Sequence, residues 1–443
     1  MNTIPFQKKA LVGIMAGLGL TFALVVPAQA AVKPPTPEEM WAIIQAQQKE
    51  IEALKTEQKT TKQKVETTDQ KVEATSKSVE QAAQAVEQAT QKTASRSSWA
   101  DKTKIGGYGE IHYNNINLDS GGNFNQINFS RFVLLFGHEF TDKIRFFSEL
   151  EVENAVVSSD SGDPGEVEVE QGYVDFDINS YATARAGLFL VPVGILNETH
   201  EPTTFYGVER NIVEAQIIPT TWREGGAGVR GQFGSGWSYD AAFTSGLKVP
   251  TDAGNSDAFR IRRGRQELAE AVANDPAYTG RLKWTGIPGV ELAATFQYQN
   301  DLTQGVGPAG TSSSATLFET HAVVNKGPFG LRALYARWDL NGDSANFATG
   351  ADGAGRDQQT GWYIEPSFKI TPKIGIFARY SEADNRAGSN GPSDSKLKQA
   401  NAGFNYWPYE DVVLKFDYQN QSGGEGGGLE PGDGFNLGIG YQF

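Results

Sequence analysis

The stretch "LNETHEPTTFYGVERN" (residues 196–211) holds the side chains best suited to chemistry, because Glu198, His200 and Glu201 lie within four positions of one another. Carboxylates beside an imidazole could bind a metal ion or act as a general acid and base. A zinc hydrolase, however, needs three protein ligands and often carries two histidines at helical spacing. This stretch has one histidine, and Pro202 argues against a helix that would bring both carboxylates onto one face. The position of the segment in the fold must therefore decide its role.

Composition narrows the classes of function. The chain has no cysteine, which excludes disulfides, thiolate catalysis and cysteine-based metal sites, and it has four histidines. Its 39 basic and 53 acidic residues give a net charge of −14, and the acidic surplus lies after residue 96. Such a surface repels phosphate backbones, so nucleic acid is a poor partner. We expect no catalytic residue, no cofactor and no bound metal.

The first thirty residues resemble a secretory signal peptide. Lys8 and Lys9 precede the apolar run "ALVGIMAGLGLTFALVV", and "AQA" stands before Ala31. This layout predicts a signal peptide over residues 1–30 with cleavage after Ala30. Since no later segment has eighteen consecutive apolar residues, the mature protein is either soluble outside the inner membrane or crosses a membrane as a β-barrel.

A seven-residue repeat follows. Apolar residues return at one heptad position from about residue 38 to 93, interrupted by Gln58, and a second position is shared by Met, Leu, Ala and Thr. The first position holds Ile44, Ile51, Val65, Val72, Val79 and Val86. The pattern predicts an α-helical coiled coil over residues 38–95, with a lone amphipathic helix as the alternative. The Thr and Ala residues at the second position leave the number of helices open.

After "TASRSSWADK" the period changes from seven to two. In "VELAATFQYQ" (290–299), for example, Val290, Leu292, Phe296 and Tyr298 alternate with polar residues, as in a strand with one apolar and one wet face. Sixteen such segments are predicted near 103–118, 124–140, 143–156, 166–178, 181–188, 225–233, 236–245, 277–286, 290–300, 316–326, 329–339, 358–370, 373–383, 396–407, 411–421 and 434–443.

The connections between these segments alternate between tight turns and long polar loops. An even number of strands with this rhythm is typical of outer-membrane barrels, whose short turns face the periplasm and whose long loops face outside. Phe443 and Tyr441 would lie in an aromatic girdle at the membrane edge. The predicted fold is all-β: a 16-stranded antiparallel transmembrane β-barrel over residues 103–443, preceded by the α-helical coiled coil.

In this layout the opening stretch belongs to the third external loop, residues 189–224. Other long loops are rich in Gly, Ser and Asp, whereas this one contains the apolar runs "FLVPVGIL" and "NIVEAQIIPTTW". Apolar material of this kind needs burial, so we expect the loop to fold inward against the wall and narrow the lumen. Glu198, His200 and Glu201 would then line a constriction.

Three segments also resemble a known family. "RFVLLFGHEFTDKIRFFSELEVENA", "AGLFLVPVGILNETHEPTTFYGVERN" and "IIPTTWREGGAGVRG" are similar to the phosphate-selective porin O and P family of Gram-negative outer membranes, over essentially all of 103–443. The resemblance implies a sixteen-stranded trimeric porin whose third loop enters the pore and whose wall arginines attract anions. The N-terminal repeat is similar to that of relatives carrying a coiled coil, including dicarboxylate-type porins.

Carried over to this chain, the resemblance gives a set of candidate arginines. The inward-facing positions of the predicted wall are Arg131, Arg145, Arg185, Arg230 and Arg281, and the loop itself adds Arg210 and Arg223 to the constriction. A guanidinium is always charged and matches phosphate or carboxylate oxygens. Several glutamates also face inward, namely Glu149, Glu151, Glu153, Glu291, Glu319 and Glu365. The alternative is therefore that the arginines simply pair with wall carboxylates.

Three functions remain open at this point. The chain is a passive porin for small anions such as phosphate or small carboxylates, or a structural envelope protein whose periplasmic coiled coil tethers the outer membrane to the cell wall, or an outer-membrane hydrolase. The hydrolase would need a histidine-based site with a Ser or Asp in reach. For the porin we expect a homotrimer in outer-membrane lipid. Peptidoglycan or periplasmic proteins are candidate partners of the coiled coil.

Overall fold

The computed structural model describes residues 36–94, 99–157, 165–251, 257–307, 311–342, 355–389, 391–393, 395–424 and 430–443. The chain divides into two compact units, residues 1–96 and 97–443. The signal peptide predicted over residues 1–30 lies outside the described residues, so it stays a prediction.

The first unit contains one long helix, α1 (Pro37–Ala94). It begins with a reciprocal cap, because Glu39 N–H donates to Thr36 Oγ1 (3.3 Å) and Thr36 N–H donates to the Glu39 carboxylate (2.8 Å). The helix predicted near these bounds is confirmed. Apolar side chains of the heptad stripe are 45–62% exposed, namely Ile44, Ile51, Val65, Val72 and Val79. Pairing of this stripe with another helix stays a prediction.

The second unit is a closed antiparallel barrel, and within its described residues it has sixteen strands. The predicted number of strands and their antiparallel order are confirmed. The strands are β1 (Thr103–Leu118), β2 (Asn123–Thr141), β3 (Ile144–Glu153), β4 (Val167–Asn179), β5 (Ala182–Leu190), β6 (Arg223–Phe233), β7 (Trp237–Thr244), β8 (Ala277–Trp284), β9 (Val290–Gln299), β10 (Ser313–Lys326), β11 (Phe329–Gly342), β12 (Gln358–Thr371), β13 (Ile374–Asp384), β14 (Leu397–Tyr409), β15 (Val412–Gly423) and β16 (Gly432–Gln442).

Closure comes from pairing the first strand with the last. Tyr108 of β1 lies opposite Gln442 of β16, and the register continues to Leu118 opposite Gly432. Gly107 and Phe443 extend this seam by exchanging two main-chain hydrogen bonds of 3.0 and 2.9 Å. Each of the sixteen described strands then has a partner on both sides, so the described part of the barrel leaves no open sheet edge.

The two faces of the wall are chemically opposite to those of a soluble barrel. In β9, Leu292 and Phe296 are 45% and 53% exposed, whereas Thr295 and Gln297 are at most 2% exposed. Apolar side chains thus point outward and polar side chains point into the interior. This arrangement matches a surrounding lipid phase and a polar lumen.

The connections at the two ends of the barrel differ in length. At one end the strands are joined by tight turns at 142–143, 180–181, 234–236, 285–289, 327–328, 372–373 and 410–411. At the other end lie the long connections.

Among the described residues, no helix has both the length and the apolar character needed to cross a lipid bilayer.

Two of the long connections turn back into the barrel. We call residues 191–222 the inner loop, and the described parts of the connection between β7 and β8, residues 245–251 and 257–276, the arginine loop. Apolar side chains of both loops pack with wall residues in one buried cluster, which includes Ile217 and Trp222 of the inner loop, Ile261 of the arginine loop, and Trp338 of β11. A short helix of the inner loop, α2 (Val213–Gln216), lies directly on β12. There a Cβ on Gly361 would come within 2.9 Å of Val213 and Ile217 side-chain atoms, so only glycine permits this approach.

Candidate functional site

The inner loop is fixed by one buried carboxylate, Glu214. Its Oε1 accepts the main-chain N–H groups of Ile195 and Leu196, both at 2.6 Å. Its Oε2 accepts from the Tyr363 hydroxyl (2.8 Å) and from the Asn211 amide (3.0 Å). Glu214 therefore ties the beginning of the loop to its later part and to β12. The sequence analysis missed this residue, and its signal was a lone carboxylate inside the apolar run "IVEAQII".

The middle of the inner loop crosses the interior and is held by its main chain. Arg332 of β11 donates to Thr204 O (2.7 Å), and Asn405 of β14 donates to Phe205 O (2.9 Å). The Val208 N–H donates to the Asp417 carboxylate of β15 (2.7 Å). These contacts reach walls far from β5 and β6, where the loop begins and ends. The loop therefore acts as a partition within the lumen.

Cavities lie on both sides of this partition. One of about 600 Å³, the upper cavity, lies toward the long connections and is lined by β1, β2, β14 to β16 and both loops. Another of about 430 Å³, the lower cavity, lies toward the tight turns and is lined by β8 to β11 and the inner loop. Each has room for several water molecules or a small solute.

Most of the predicted wall arginines have carboxylate partners. Their contacts with carboxylates of the wall are Arg131 with Glu110 (2.9 Å), Arg145 with Asp177 (2.5 Å), Arg185 with Asp175 (2.8 Å) and Arg281 with Asp240 (2.7 Å). These four arginines therefore follow the alternative considered from the sequence, in which the arginines pair with carboxylates of the wall. Arg230 differs, because among the ion pairs of the described residues it has none. It lies with Arg185 and Glu198 around a small cavity and is exposed within it.

The residues of the opening stretch are separated rather than gathered. Glu198 pairs with Arg281 of β8 and borders the lower cavity. His200 is 3% exposed and faces Glu149 of β3 and Glu170 of β4. Glu201 is half-buried, and its main-chain carbonyl accepts from Thr204. The non-helical course of the loop around Pro202 sends these side chains to different walls.

Burial and charge act in opposite directions on His200. Burial alone would lower its pKa, but the neighbouring carboxylates of Glu149 and Glu170 raise the pKa to about 9. The sequence analysis had missed these two wall carboxylates as neighbours of the loop histidine.

The two loop arginines of the predicted constriction have different surroundings. Arg223 opens β6, is 2% exposed and pairs with Glu168 and, at 3.7 Å, with Glu170. Arg210 lines the upper cavity, where its Nη1 donates to Thr221 Oγ1 (2.9 Å). Its Nη2 is buried and has no hydrogen-bond partner among the described residues. Arg210 therefore has an unused donor in the interior.

The arginine loop adds a cationic segment that the sequence analysis did not single out. The signal was "RIRRGR" (260–265), with four arginines in six positions. Arg260 and Arg263 pair with Asp257, and Arg265 pairs with Glu267. Arg262 instead donates to Ala215 O and, at 3.0 Å, to Thr220 Oγ1, and it lines the upper cavity.

Arg210 and Arg262, which we call the cavity arginines, make the upper cavity locally cationic. Neither forms an ion pair with a carboxylate in the part of the chain that is described. Burial first, and then repulsion from Arg265 and Arg260, lowers the pKa of Arg262 to about 10. Burial and repulsion from Arg131 likewise lower the pKa of Arg210. Arg262 remains charged at neutral pH, and an anion between the two arginines would relieve this repulsion.

Comparison with known proteins gives matches over the barrel. The family model for "Phosphate-selective porin O and P" matches residues 103–426. An uncharacterized protein of Aquifex aeolicus (strain VF5) is 32% identical over 344 residues, covering 71% of this chain and 74% of that protein.

Solved structures with a similar fold are also found. An anion-selective porin from Comamonas acidovorans gives a TM-score of 0.53 at 13% identity, covering 77% of this chain and 99% of that one. OmpF of Salmonella typhi in complex with daunomycin gives 0.54 at 14% identity, covering 78% and 99%. The outer membrane channel DcaP of Acinetobacter baumannii gives 0.50 at 14% identity, covering 77% and 97%. At these identities the similarity concerns the fold alone.

Proposed function

The chain belongs to the phosphate-selective porin O and P family, and from this premise we propose that it is an outer-membrane porin for passive diffusion of small anions. The family and the sixteen-stranded barrel point to a channel rather than to an enzyme. The observation that carries the anion preference is the pair of cavity arginines, two guanidinium groups that face one cavity from two different loops. Phosphate or small carboxylates would match their donor geometry.

The proposed route runs from the upper cavity past the inner loop into the lower cavity. A cation within a narrow, low-dielectric passage raises the local concentration of anions more than one on an open surface does. The paired arginines further along the wall are held near carboxylates, which would keep binding weak enough for release. In this proposal the pore wall comprises Arg131, Arg145, Arg185, Arg230 and Arg281, and the constriction comprises Glu198, His200, Glu201, Arg210 and Arg223.

Replacing Arg262 by glutamine should reduce anion preference. The substitution removes a charge that faces the upper cavity. A loss of about one kT of local potential would lower the chloride population and raise the potassium population about threefold each, so the chloride-to-potassium permeability ratio should fall about sevenfold. The measurement is the reversal potential of the purified protein in a planar bilayer across a potassium chloride gradient.

Arg263→Gln is the matched control for this experiment. It lies in the same loop and removes the same charge, but the Arg263 side chain is 56% exposed and its partner Asp257 also pairs with Arg260. We expect its permeability ratio to stay near that of the unchanged protein. An equal shift in both variants, or an unchanged protein that prefers potassium, would contradict the anion proposal.

A second candidate function rests on helix α1. With 58 residues it is about 87 Å long, and its exposed apolar stripe favours association with other helices. We therefore propose a signal peptide over 1–30, a periplasmic coiled coil over 38–95 and an outer-membrane barrel over 103–443, assembled as a homotrimer. The coiled coil would contact peptidoglycan or periplasmic proteins and tether the outer membrane.

Deletion of residues 38–95 should separate the two functions. The full-length protein is expected at three copies per particle by light scattering in detergent, and the barrel of the deletion variant should conduct as before. Cells carrying the variant should lose envelope integrity, measured by leakage of periplasmic enzymes, if the tether operates. A monomeric full-length protein would refute the trimer, and intact envelopes would refute the tether.

A further inference from the structure

His200 lies between two wall carboxylates at distances that leave a gap. Its Nε2 is 3.6 Å from Oε1 of Glu149 and 3.7 Å from Oε2 of Glu170. All three residues are at most 3% exposed. Hydrogen bonds between nitrogen and oxygen normally measure 2.7–3.2 Å. Accordingly, within the described residues neither His200 Nε2 nor Glu170 Oε2 has a hydrogen-bond partner.

The second ring nitrogen indicates which tautomer is present. His200 Nδ1 lies 3.2 Å from the main-chain carbonyl of Asn197, an oxygen that only accepts hydrogen bonds. Nδ1 therefore carries a hydrogen and donates it, which in a neutral ring leaves a lone pair on Nε2. That lone pair and two carboxylate oxygens point at the same space. Without a metal, this space holds only the Nε2 proton of the charged ring, at distances from both carboxylates that are too long for a normal hydrogen bond. A divalent cation that displaces this proton would bond to all three groups.

The spacing fits a metal ion. With metal–ligand bonds of about 2.0–2.1 Å in tetrahedral geometry, neighbouring ligand atoms lie about 3.4 Å apart. The distances from the imidazole nitrogen to the two carboxylate oxygens are close to this value, and the three ligand atoms all lie within 4.8 Å of one another. One imidazole nitrogen and two carboxylate oxygens form a ligand set that zinc accepts, and a water molecule would complete four-coordination.

The surroundings of the three ligands resemble the outer shell of a metal site. Tyr108 donates to Oε1 of Glu149 (2.9 Å), and Gln171 donates to Oε2 (2.6 Å), so this carboxylate is held in one orientation. The contact of His200 with the Asn197 carbonyl fixes the ring in the same way. Partners of this kind are usual around metal-binding histidines and carboxylates.

Charge also favours a cation. Glu149 and Glu170 together carry two negative charges when ionised, and the proton that a metal ion would displace from His200 Nε2 balances only one of them. The nearest guanidinium, that of Arg223, is 3.7 Å from Glu170 but is already engaged by Glu168. Two other cations lie nearby: Arg131 is engaged by Glu110 and Glu151, and Arg210 donates to Thr221 and lines the upper cavity. A divalent ion would neutralise the negative charge of Glu149 and Glu170 that these arginines do not balance.

We propose that His200, Glu149 and Glu170 bind a divalent transition-metal cation of the zinc class, which pins the inner loop to strands β3 and β4. The sequence analysis expected no metal, because it weighed His200 only against carboxylates of its own loop. The two carboxylate ligands come from β3 and β4 instead. In this arrangement metal occupancy controls how firmly the partition is held, independently of which ions the channel selects.

The test uses full-length protein without a histidine tag, stripped with a chelator and dialysed against zinc. We expect one zinc per chain by elemental mass spectrometry, and a four-coordinate absorption spectrum when cobalt replaces zinc. His200→Gln and Glu170→Gln should each weaken binding by at least about a hundredfold. Zinc should also raise the melting temperature of the unchanged protein and leave that of both variants unaltered.

His321→Gln is the matched control, because His321 also lies between two glutamates. Its two ring nitrogens lie 2.7 Å from Glu319 and 3.3 Å from Glu291, so both nitrogens already have hydrogen-bond partners and neither is left to bind a metal ion. This variant should bind zinc normally. Two variants at the proposed site are used in case one of them does not fold. Heat-modifiable migration on a gel shows which variants have folded. Zinc bound by the unchanged protein no more tightly than by a folded His200→Gln or Glu170→Gln variant would overturn the proposal.

Discussion

Glu214→Ala should enlarge the conducting path while leaving the barrel folded. The substitution removes the acceptor for the Ile195 and Leu196 N–H groups and for the Tyr363 hydroxyl, which would leave buried donors without partners. Each unsatisfied buried donor costs about 1–3 kcal/mol, so the docked state of the inner loop loses several kcal/mol. The strand ladder involves none of these groups. Single-channel conductance should therefore rise, with larger current fluctuations, and heat-modifiable migration should be retained.

Glu201→Ala serves as the comparison, since it removes a carboxylate from the same loop. Glu201 is half-buried, and the loop contact described for it uses its main-chain carbonyl, which the substitution keeps. The inner loop should stay docked, so no large rise in conductance or in current fluctuations is expected, while loss of a constriction carboxylate should move the reversal potential toward anions. If Glu214→Ala also conducts normally, the inner loop does not depend on this carboxylate, or does not limit the current.

Arg281→Gln should shift selectivity strongly toward cations. Arg281 is 4% exposed at its side chain and joins Glu198 of the inner loop to Asp240 of β7. Its loss leaves Glu198, which borders the lower cavity, and Asp240, which borders the small cavity around Arg230, without their guanidinium. Removal of one partner from a buried ion pair costs about 3–5 kcal/mol, so the contact between loop and wall should loosen as well. The reversal potential across a salt gradient measures the first effect, and the melting temperature measures the second.

The double variant Arg281→Gln/Glu198→Gln separates charge from packing. It leaves Asp240 as the one remaining carboxylate of the three-residue contact, so its reversal potential should lie between those of Arg281→Gln and the unchanged protein. Glu198→Gln alone should move the reversal potential toward anions. If the shift in reversal potential of the double variant equalled the sum of the shifts of the two single variants, the two side chains would act independently. That result would contradict their direct contact in the structure.

The barrel could be predicted from the sequence because its signal is local. In "VELAATFQYQ" the alternation of apolar and polar residues indicates which side chains face outward and which face the lumen, and short turns mark where the chain reverses direction. The predicted strands therefore agree with the observed ones to within a few residues at most ends. The helix over 37–94 was accessible for the same reason, since a seven-residue repeat needs no knowledge of distant residues.

The interior was less accessible because its contacts depend on how two loops fold. His200 meets Glu149 and Glu170, which precede it by 51 and 30 positions, and no periodicity connects them. Arg262 was missed because the loop around it shows neither alternation nor heptads, although "RIRRGR" was visible as a charged run. By contrast, Arg145 and Asp177 lie on neighbouring strands, so their pairing was foreseeable once the register was known.

The way in which the wall holds the inner loop has a consequence for how this protein could change. The wall holds the loop by hydrogen bonds to the loop's main-chain carbonyl oxygens. Those of Thr204, Tyr206 and Phe205 accept from the side chains of Arg332, Arg379 and Asn405 respectively. Every amino acid supplies a carbonyl, so substitutions along this stretch need not alter the path of the chain. Selection or laboratory evolution could therefore exchange the side chains that solutes meet while the scaffold keeps its course. Transport specificity would be free to diverge faster than architecture.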